Sequence, residues 1–466
     1  MAVNGWRARC CKCLSLIATG KVLRVRGKNG EKTATTFLVF MTAISLVSTL
    51  NAYSISVNYG YPSGLLAREL AWEKTFGGTG DDRAFYIVKS GDGGFLVVGS
   101  STSFDRGKTF AWIVRIDQDG NMLWNRTYEE RDGSEFRSAI RTDDGFVLVG
   151  NAFSSSGDED GWIVKIDEQG NVLWNLTVGS KETAKFSSAA ETSDGFILVG
   201  LTYSMGRNAS DAWAVKIDTS GEVLWNKTYG GNGDNAFRAA VATDKNEYVC
   251  AGYTNSIGNG DYDVWLVKID GNGTLQWSTT YGGVESDMGY ALAVTRDGYV
   301  IAGETHSFGN GDAKAFVVKT DLNGKLLWQR AYGGEQFDSI DSIIPSSSGG
   351  YVVAGFTFSF GKGQRDFWIF SIDDSGNVLW SRTQGREGFE EAYSIVEVAK
   401  DRFVVAGWTN SIGNGKYDYY VVEMKVSLSD YSLTERVLLF YGLAVLAIAV
   451  VSILTFWRLQ LRRQNK

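Results

Sequence analysis

The chain has 466 residues, 46 basic and 53 acidic, with a formal charge of −7, four cysteines and one histidine. A single histidine rules out multi-histidine metal centres and argues against histidine-based triads. The acidic balance repels polyanions and argues against a nucleic-acid partner.

Residues 1–34 form a basic leader. Arg7, Arg9, Lys12, Lys21, Arg24, Arg26, Lys28 and Lys32 stand there against Glu31 alone. Cys10, Cys11 and Cys13 lie in the same stretch. Without a fourth ligand or a nearby histidine they read as reduced thiols rather than a zinc site, and acylation is the other reading. Residues 35–57 follow as an apolar signal anchor, and the basic flank places the N-terminus in the cytoplasm. A cleaved signal peptide with a cut near Ala52 is the alternative. The long leader and the poor small-x-small site favour the uncleaved anchor. Residues 58–69 are a linker.

From residue 70 to 426 the chain repeats. Trp72, Trp124, Trp174, Trp225, Trp277, Trp328 and Trp380 recur at gaps of 52, 50, 51, 52, 51 and 52 residues. Gly99, Gly150, Gly200, Gly252, Gly303, Gly355 and Gly407 close apolar runs in step with them. Trp112, Trp162, Trp213, Trp265, Phe316, Trp368 and Tyr420 form a third register. Each unit holds four short runs rich in Val, Ile, Phe, Trp and Thr, bounded by Gly, Asp, Asn or Ser, which is strand and turn chemistry. Seven such units predict an all-β, seven-bladed β-propeller of four-stranded antiparallel blades. Ser138, Ser188, Ala239, Ala291, Ser342 and Ser394, with Tyr86 as exception, place a small residue where inner strands crowd towards the axis. The marker Trp strand belongs at the rim. That leaves Leu70–Phe76 without a blade and the last blade without a rim strand, so pairing the two closes the ring and removes both edges. The marker tryptophans are expected to be core residues packed between blades.

Residues 427–435 are a second linker and 436–457 a transmembrane helix. Val437–Trp457 is free of charge and spans about 31 Å as a helix, the thickness of a bilayer core. The basic tail, residues 458–466, carries Arg458, Arg462, Arg463 and Lys466 and is expected in the cytoplasm. Setting aside the leader's eight bases and one acid and the tail's four bases leaves 34 basic and 52 acidic residues, a net of −18. The propeller is therefore expected outside the membrane as an acidic ectodomain. Cys250 is its one cysteine, so no disulfide is expected there.

No catalytic, cofactor-binding or metal-binding residue is assigned. His306 stands in a loop where other repeats carry Asn or Phe and reads as a loop substitution. The glycine loops at 256–263 and 411–418 lack the helix a phosphate cradle needs and the alternating oxygens of a calcium loop. Asp160, Asp211, Asp263, Asp366 and Asp418 precede the third register by two residues and read as blade-to-blade structural hydrogen bonds. Asp82, Asp287, Asp338 and Glu390, with Asn235 in the equivalent place, open the inner strands. They are candidates for an ion or polar-ligand position at the tunnel mouth, or else caps of strand entry. Carboxylate pairs for glycoside hydrolysis would fall at the same level. Asn125, Asn175, Asn208, Asn226 and Asn272 lie in glycosylation sequons.

The repeat W-x-x-T-Y-G-G … D-G-G-Y-x-V-A-G-x-T-x-S-x-G-x-G … D-x-W-x-V-K-x-D-x-x-G-x-x-x-W resembles the propeller repeats of archaeal and bacterial cell-surface proteins over residues 70–426. The stretch VKIDEQGNVLW (164–174) is also similar to the tryptophan-docking motif of pyrroloquinoline-quinone dehydrogenases and outer-membrane assembly propellers. Here the Asp-to-Gly spacing is three residues rather than four, and seven blades stand against their eight. The resemblance implies a binding or scaffold propeller, which the two apolar segments would anchor at the cell surface, with a protein or glycan partner and no cofactor expected. The alternatives are an extracytoplasmic enzyme, quinone-dependent or carbohydrate-active, and an envelope-assembly factor. Blades two and three lose the Tyr-Gly-Gly loop, at Tyr128-Glu129-Glu130-Arg131 and Val178-Gly179-Ser180, which points to residues 128–134 as a contact surface.

Overall fold

The computed structural model describes residues 70–426 apart from 106, 155–156, 180–182, 204–207, 244 and 310. The two expected membrane segments, 35–57 and 436–457, lie outside the described residues. Among the described residues no helix is long and apolar enough to cross a membrane.

Seven four-stranded antiparallel sheets make up the described chain. Blade one consists of Asp82–Lys89, Phe95–Ser101, Phe110–Ile116 and Met122–Tyr128, hydrogen-bonded in that order. Five more blades repeat the scheme. Blade seven takes Glu390–Ala399, Arg402–Thr409 and Asp418–Lys425 from the end of the repeats and is completed by Leu70–Phe76. That strand runs antiparallel to Asp418–Lys425, with Trp72 opposite Glu423 and Phe76 opposite Tyr419. The first-made strand thus closes the ring as expected.

The second and third strands of each blade are buried on both faces because both faces are covered. Every residue of Phe95–Ser101 is buried, with no polar alternation. One apolar cluster fills each junction between consecutive blades. At the closing junction Val404 and Val421 of blade seven meet Val97 and Val114 of blade one. The aromatic register of the third strands is buried throughout, from Phe316, Trp368 and Tyr420 at 1% exposure to Trp265 at 4%. Several of these rings stack on the inner strand's phenylalanine, as Trp213 does on Phe186 at 4.3 Å.

The marker tryptophans differ from expectation. Trp380 is buried, but the other six are half-buried. Each lies over the rim end of a junction cluster, where one edge of the indole meets solvent. What holds them is docking onto the next blade's Asp-x-x-Gly turn. The indole N–H of Trp72 donates to Gln118 O (3.2 Å), that of Trp225 to Gly271 O (2.9 Å) and that of Trp328 to Asp374 O (2.9 Å). The turn glycine is needed twice over. Gly120 has φ +76°, and a Cβ on it would press within 2.7 Å of the Trp72 ring.

The glycine register has a different cause. Every inner strand carries a β-bulge at the same place, and the unpaired residues are Phe85, Arg137, Ser187, Arg238, Tyr290, Asp341 and Tyr393. The marker glycine lies opposite the residue before the bulge, and a Cβ there would overlap the inner strand's backbone carbonyl in all seven blades. The small-residue position follows the bulge and faces the next blade, as Ala239 and Ala291 do within their junction clusters.

Gly303→Ala is expected to lower stability by about 1–3 kcal/mol, because the methyl forces the bulged strand away from its partner. Urea unfolding checks it, and an unchanged midpoint would mean that the bulge yields without cost.

Candidate functional site

The axis is lined by the inner strands, which pack side by side around the closed ring. A bulge inserts one residue and re-aims its side chain, and here the bulged side chains of several neighbouring blades meet. Arg137 of blade two lies 4.0 Å over the ring of Phe85 of blade one, and Phe85 meets Tyr393 of blade seven edge-on at 5.3 Å. On the other side Arg238 of blade four lies 5.5 Å over Tyr290 of blade five. The remaining members are Ser187 and Asp341. The second and third strands of the blades are near copies. At the bulge the blades present Phe, Arg, Ser, Arg, Tyr, Asp and Tyr.

Asp341 is half-buried, and its Oδ2 meets no hydrogen-bond donor. Burial, followed by the charges of Glu391 and Glu304, holds its carboxyl well above the usual carboxylate range, against the opposing pull of Arg238 and Arg365. Glu391 is ion-paired with Arg365 at 2.6 Å. Tyr290 and Tyr393 are both raised, burial first, with Asp341 among the charges acting on each.

Above this ring, at the face carrying the blade links and glycine-rich loops, three blades are tied by stacked cations and aromatics. Arg365 lies 4.8 Å over Phe356 and 5.0 Å over Trp408. Arg83 lies 5.4 Å over Trp408 and 4.5 Å over Tyr417. Phe337, Phe358 and Phe389 extend the aromatic wall. This mouth belongs to blades six, seven and one.

The acids singled out in the sequence lie elsewhere. Asp82, Asp287, Asp338 and Glu390 are at most 1% exposed, each at a different blade junction. Asp82 accepts from Gly78 N (2.8 Å), Ser103 Oγ (2.7 Å) and Ser101 Oγ. Asp338 takes Gly334 N (2.9 Å), Ser359 Oγ (2.7 Å) and Thr357 Oγ1. Asp287 takes Gly283 N and Ser307 Oγ, and Glu390 takes Arg386 N and Thr409 Oγ1. Each fastens the link from the previous blade to the end of its own second strand. The second acid register lies alongside. Asp263, Asp366 and Asp418 accept backbone N–H groups from their own glycine loops rather than from a neighbouring blade. The linking glycines 77, 282 and 385 are each wedged between one carboxylate of each register.

His306 is exposed, and its backbone N–H donates to Ser286 O at 2.8 Å. All five sequon asparagines are exposed. Asn125 and Asn226 also accept the buried indole N–H of Trp112 and Trp213, at 3.2 and 2.6 Å. In the 128–134 loop Arg131 takes φ +59° and pairs with Asp160, while Lys108 pairs with Glu129 at 2.6 Å. Sequence reasoning missed the axial ring. Its signal was the residue just ahead of the small-residue position, which varies while its neighbours repeat.

A family model described as outer membrane protein assembly factor BamB matches residues 67–303, half of the chain. The chain belongs to this family. It is also 26% identical over 239 residues to the regulatory protein FlaEY of Caulobacter vibrioides, a match covering 45% of this chain and 24% of that one. The chain thus spans about a quarter of that curated relative's length. Among solved structures, Sqt1 from Chaetomium thermophilum is 12% identical with a TM-score of 0.44, covering 78% of this chain and 100% of that one. A protein of unknown function from Dyadobacter fermentans is 10% identical with a TM-score of 0.43, covering 77% and 99%.

Burial raises Asp418, Asp263 and Asp366 above the ordinary carboxylate range, and the neighbouring acid adds to it: Asp82, Asp287 and Glu390 respectively. A raised carboxyl binds its proton more tightly folded than unfolded. Its contribution is therefore complete below about pH 4 and is lost as pH rises through the folded value. Asp418→Asn keeps the oxygen that accepts Gly415 N and removes the charge. Its melting temperature relative to the parent should climb between pH 4 and pH 8. A constant offset would show that folding does not raise this carboxyl.

Proposed function

We propose that this protein is a membrane-anchored, extracytoplasmic propeller that works as a binding scaffold, with a protein partner docking at the axial mouth. The observation that carries this reading is the inequivalent axial ring within an otherwise repeated frame. Repetition conserves scaffold chemistry, and a site for one partner has to break it. The half-exposed aromatics Phe337, Phe358, Phe389 and Tyr417 around two guanidiniums suit a docking surface.

Anchoring is supported by the charge-free run Val437–Trp457, the basic flanks and the acidic charge between them. The chain enters at Leu70 and leaves at Val426 on the face of the tight turns, with Leu70 opposite Met424. An anchor beyond Val426 then leaves the loop face and its mouth turned outward, with both termini in the cytoplasm and the exposed sequon asparagines free for sugars. The family description supports a partner that is itself an envelope protein, and the relative named as regulatory is compatible with signalling by recruitment. Asp341 favours a second reading. A carboxyl raised well above the usual carboxylate range at the axis is suited to general acid work, so a carbohydrate-active enzyme is the rival.

The test places a photo-crosslinker at Tyr417 on the mouth or at Asp119 on the turn face of the full chain in intact cells. A discrete adduct is expected from Tyr417 alone. External protease should remove the propeller while tags at both ends survive. Equal labelling from both positions, or glycan cleavage abolished by Asp341→Asn, would overturn the scaffold reading.

A further inference from the structure

We propose that the Tyr290–Asp341–Tyr393 sector of the axial ring receives a cationic side chain, a lysine ammonium or an arginine guanidinium, presented by a basic segment of a protein partner. This rests on the scaffold reading and names the chemistry that the scaffold selects. The three residues are consecutive members of the bulged ring, from blades five, six and seven, so an acid stands between two phenol rings.

Charge around this sector does not balance. Asp341, Glu304 and Glu391 face Arg238 and Arg365, while Arg137, whose charge acts on Tyr393, is taken by Glu135 at 2.5 Å. Arg365 is committed to Glu391 at 2.6 Å and is stacked on Phe356 and Trp408. Arg238 is exposed, lies over Tyr290 and forms no ion pair among the described residues. Asp341 is left with an oxygen that no donor reaches. One positive group is missing from a site walled by aromatics.

The ring already holds cations in this manner. Arg137 lies 4.0 Å over Phe85 and Arg238 lies 5.5 Å over Tyr290, so arginine on a ring face is its recurring contact. Tyr393 has its edge contact with Phe85 and no guanidinium within stacking distance among the described residues. A metal ion fits less well, since no group of three acids among the described residues is arranged to hold one. An anion would meet three carboxyl groups. While the sector is empty, burial and the charges of Glu391 and Glu304 favour the protonated form of Asp341. An arriving cation favours the carboxylate, and the proton released goes to solvent.

The experiment uses the full chain in detergent and a fluorescent Lys-Gly-Lys-Gly-Lys peptide, with the same peptide acetylated on its lysines as comparison. Affinity should rise with pH by up to about tenfold per unit while Asp341 gives up its proton. Calorimetry in buffers of different ionisation enthalpy should register that proton. Asp341→Asn should weaken binding at least about tenfold and flatten the pH profile, whereas Asp119→Asn, an equal charge change on the exposed turn face, should leave both unchanged. Equal binding of the acetylated peptide, an Asp341→Asn protein with parental affinity and pH slope, or no proton release by the parent would each overturn the proposal. If these fail while the Tyr417 adduct persists, the scaffold reading stands and only the cation site falls.

Discussion

A four-stranded blade has two apolar faces and no core of its own. Its second and third strands, such as Phe95–Ser101 and Phe110–Ile116, are buried only because a blade stands on either side. Everything else in the molecule follows from meeting that requirement seven times without an end. Each junction cluster borrows from two blades, so no blade is an independent unit of stability. The indole-to-turn contacts at the rim and the carboxylate ties at the blade links hold the same neighbours at the two radii where apolar packing thins out.

This dependence explains what the amino-acid pattern disclosed. Strands, turns, blade number and ring closure were legible because each is demanded in every copy, and a demand repeated at a fixed spacing is visible in a single chain. The marker tryptophans were legible in position but misjudged in burial. Seven copies show that a residue is structural, and they do not show whether it fills a core or caps one. Docking on a turn leaves an indole edge in water, as at Trp225. Of the two readings of the inner-strand acids, the hydrogen bonds fit the caps of strand entry. Asp287 and Asp338 stand where strands open towards one mouth, yet the Gly-Gly link and the Thr-x-Ser end close over them.

The axial ring was illegible because it does not repeat. Its position is fixed by a backbone event, the bulge opposite a marker glycine, and that event leaves no residue type of its own on the inner strand. Arg137, Tyr290 and Asp341 share a structural address and no chemistry. The glycine advertises the address in every blade, while the occupant is free to vary. Repetition thus conceals a level at which the copies have diverged.

Closure by Leu70–Phe76 also sets an order of events. On a ribosome this strand emerges before any blade, and its partner Asp418–Lys425 follows some 350 residues later. At about 5–20 residues per second the wait is about 20–70 s. Through that interval the strand has an unpaired edge, and blade one lacks the neighbour that covers Val97 and Val114. The earliest-made part of the ring is therefore the last to be satisfied, so a holding factor acting on the nascent N-terminal strand has more to protect than one acting on any later blade.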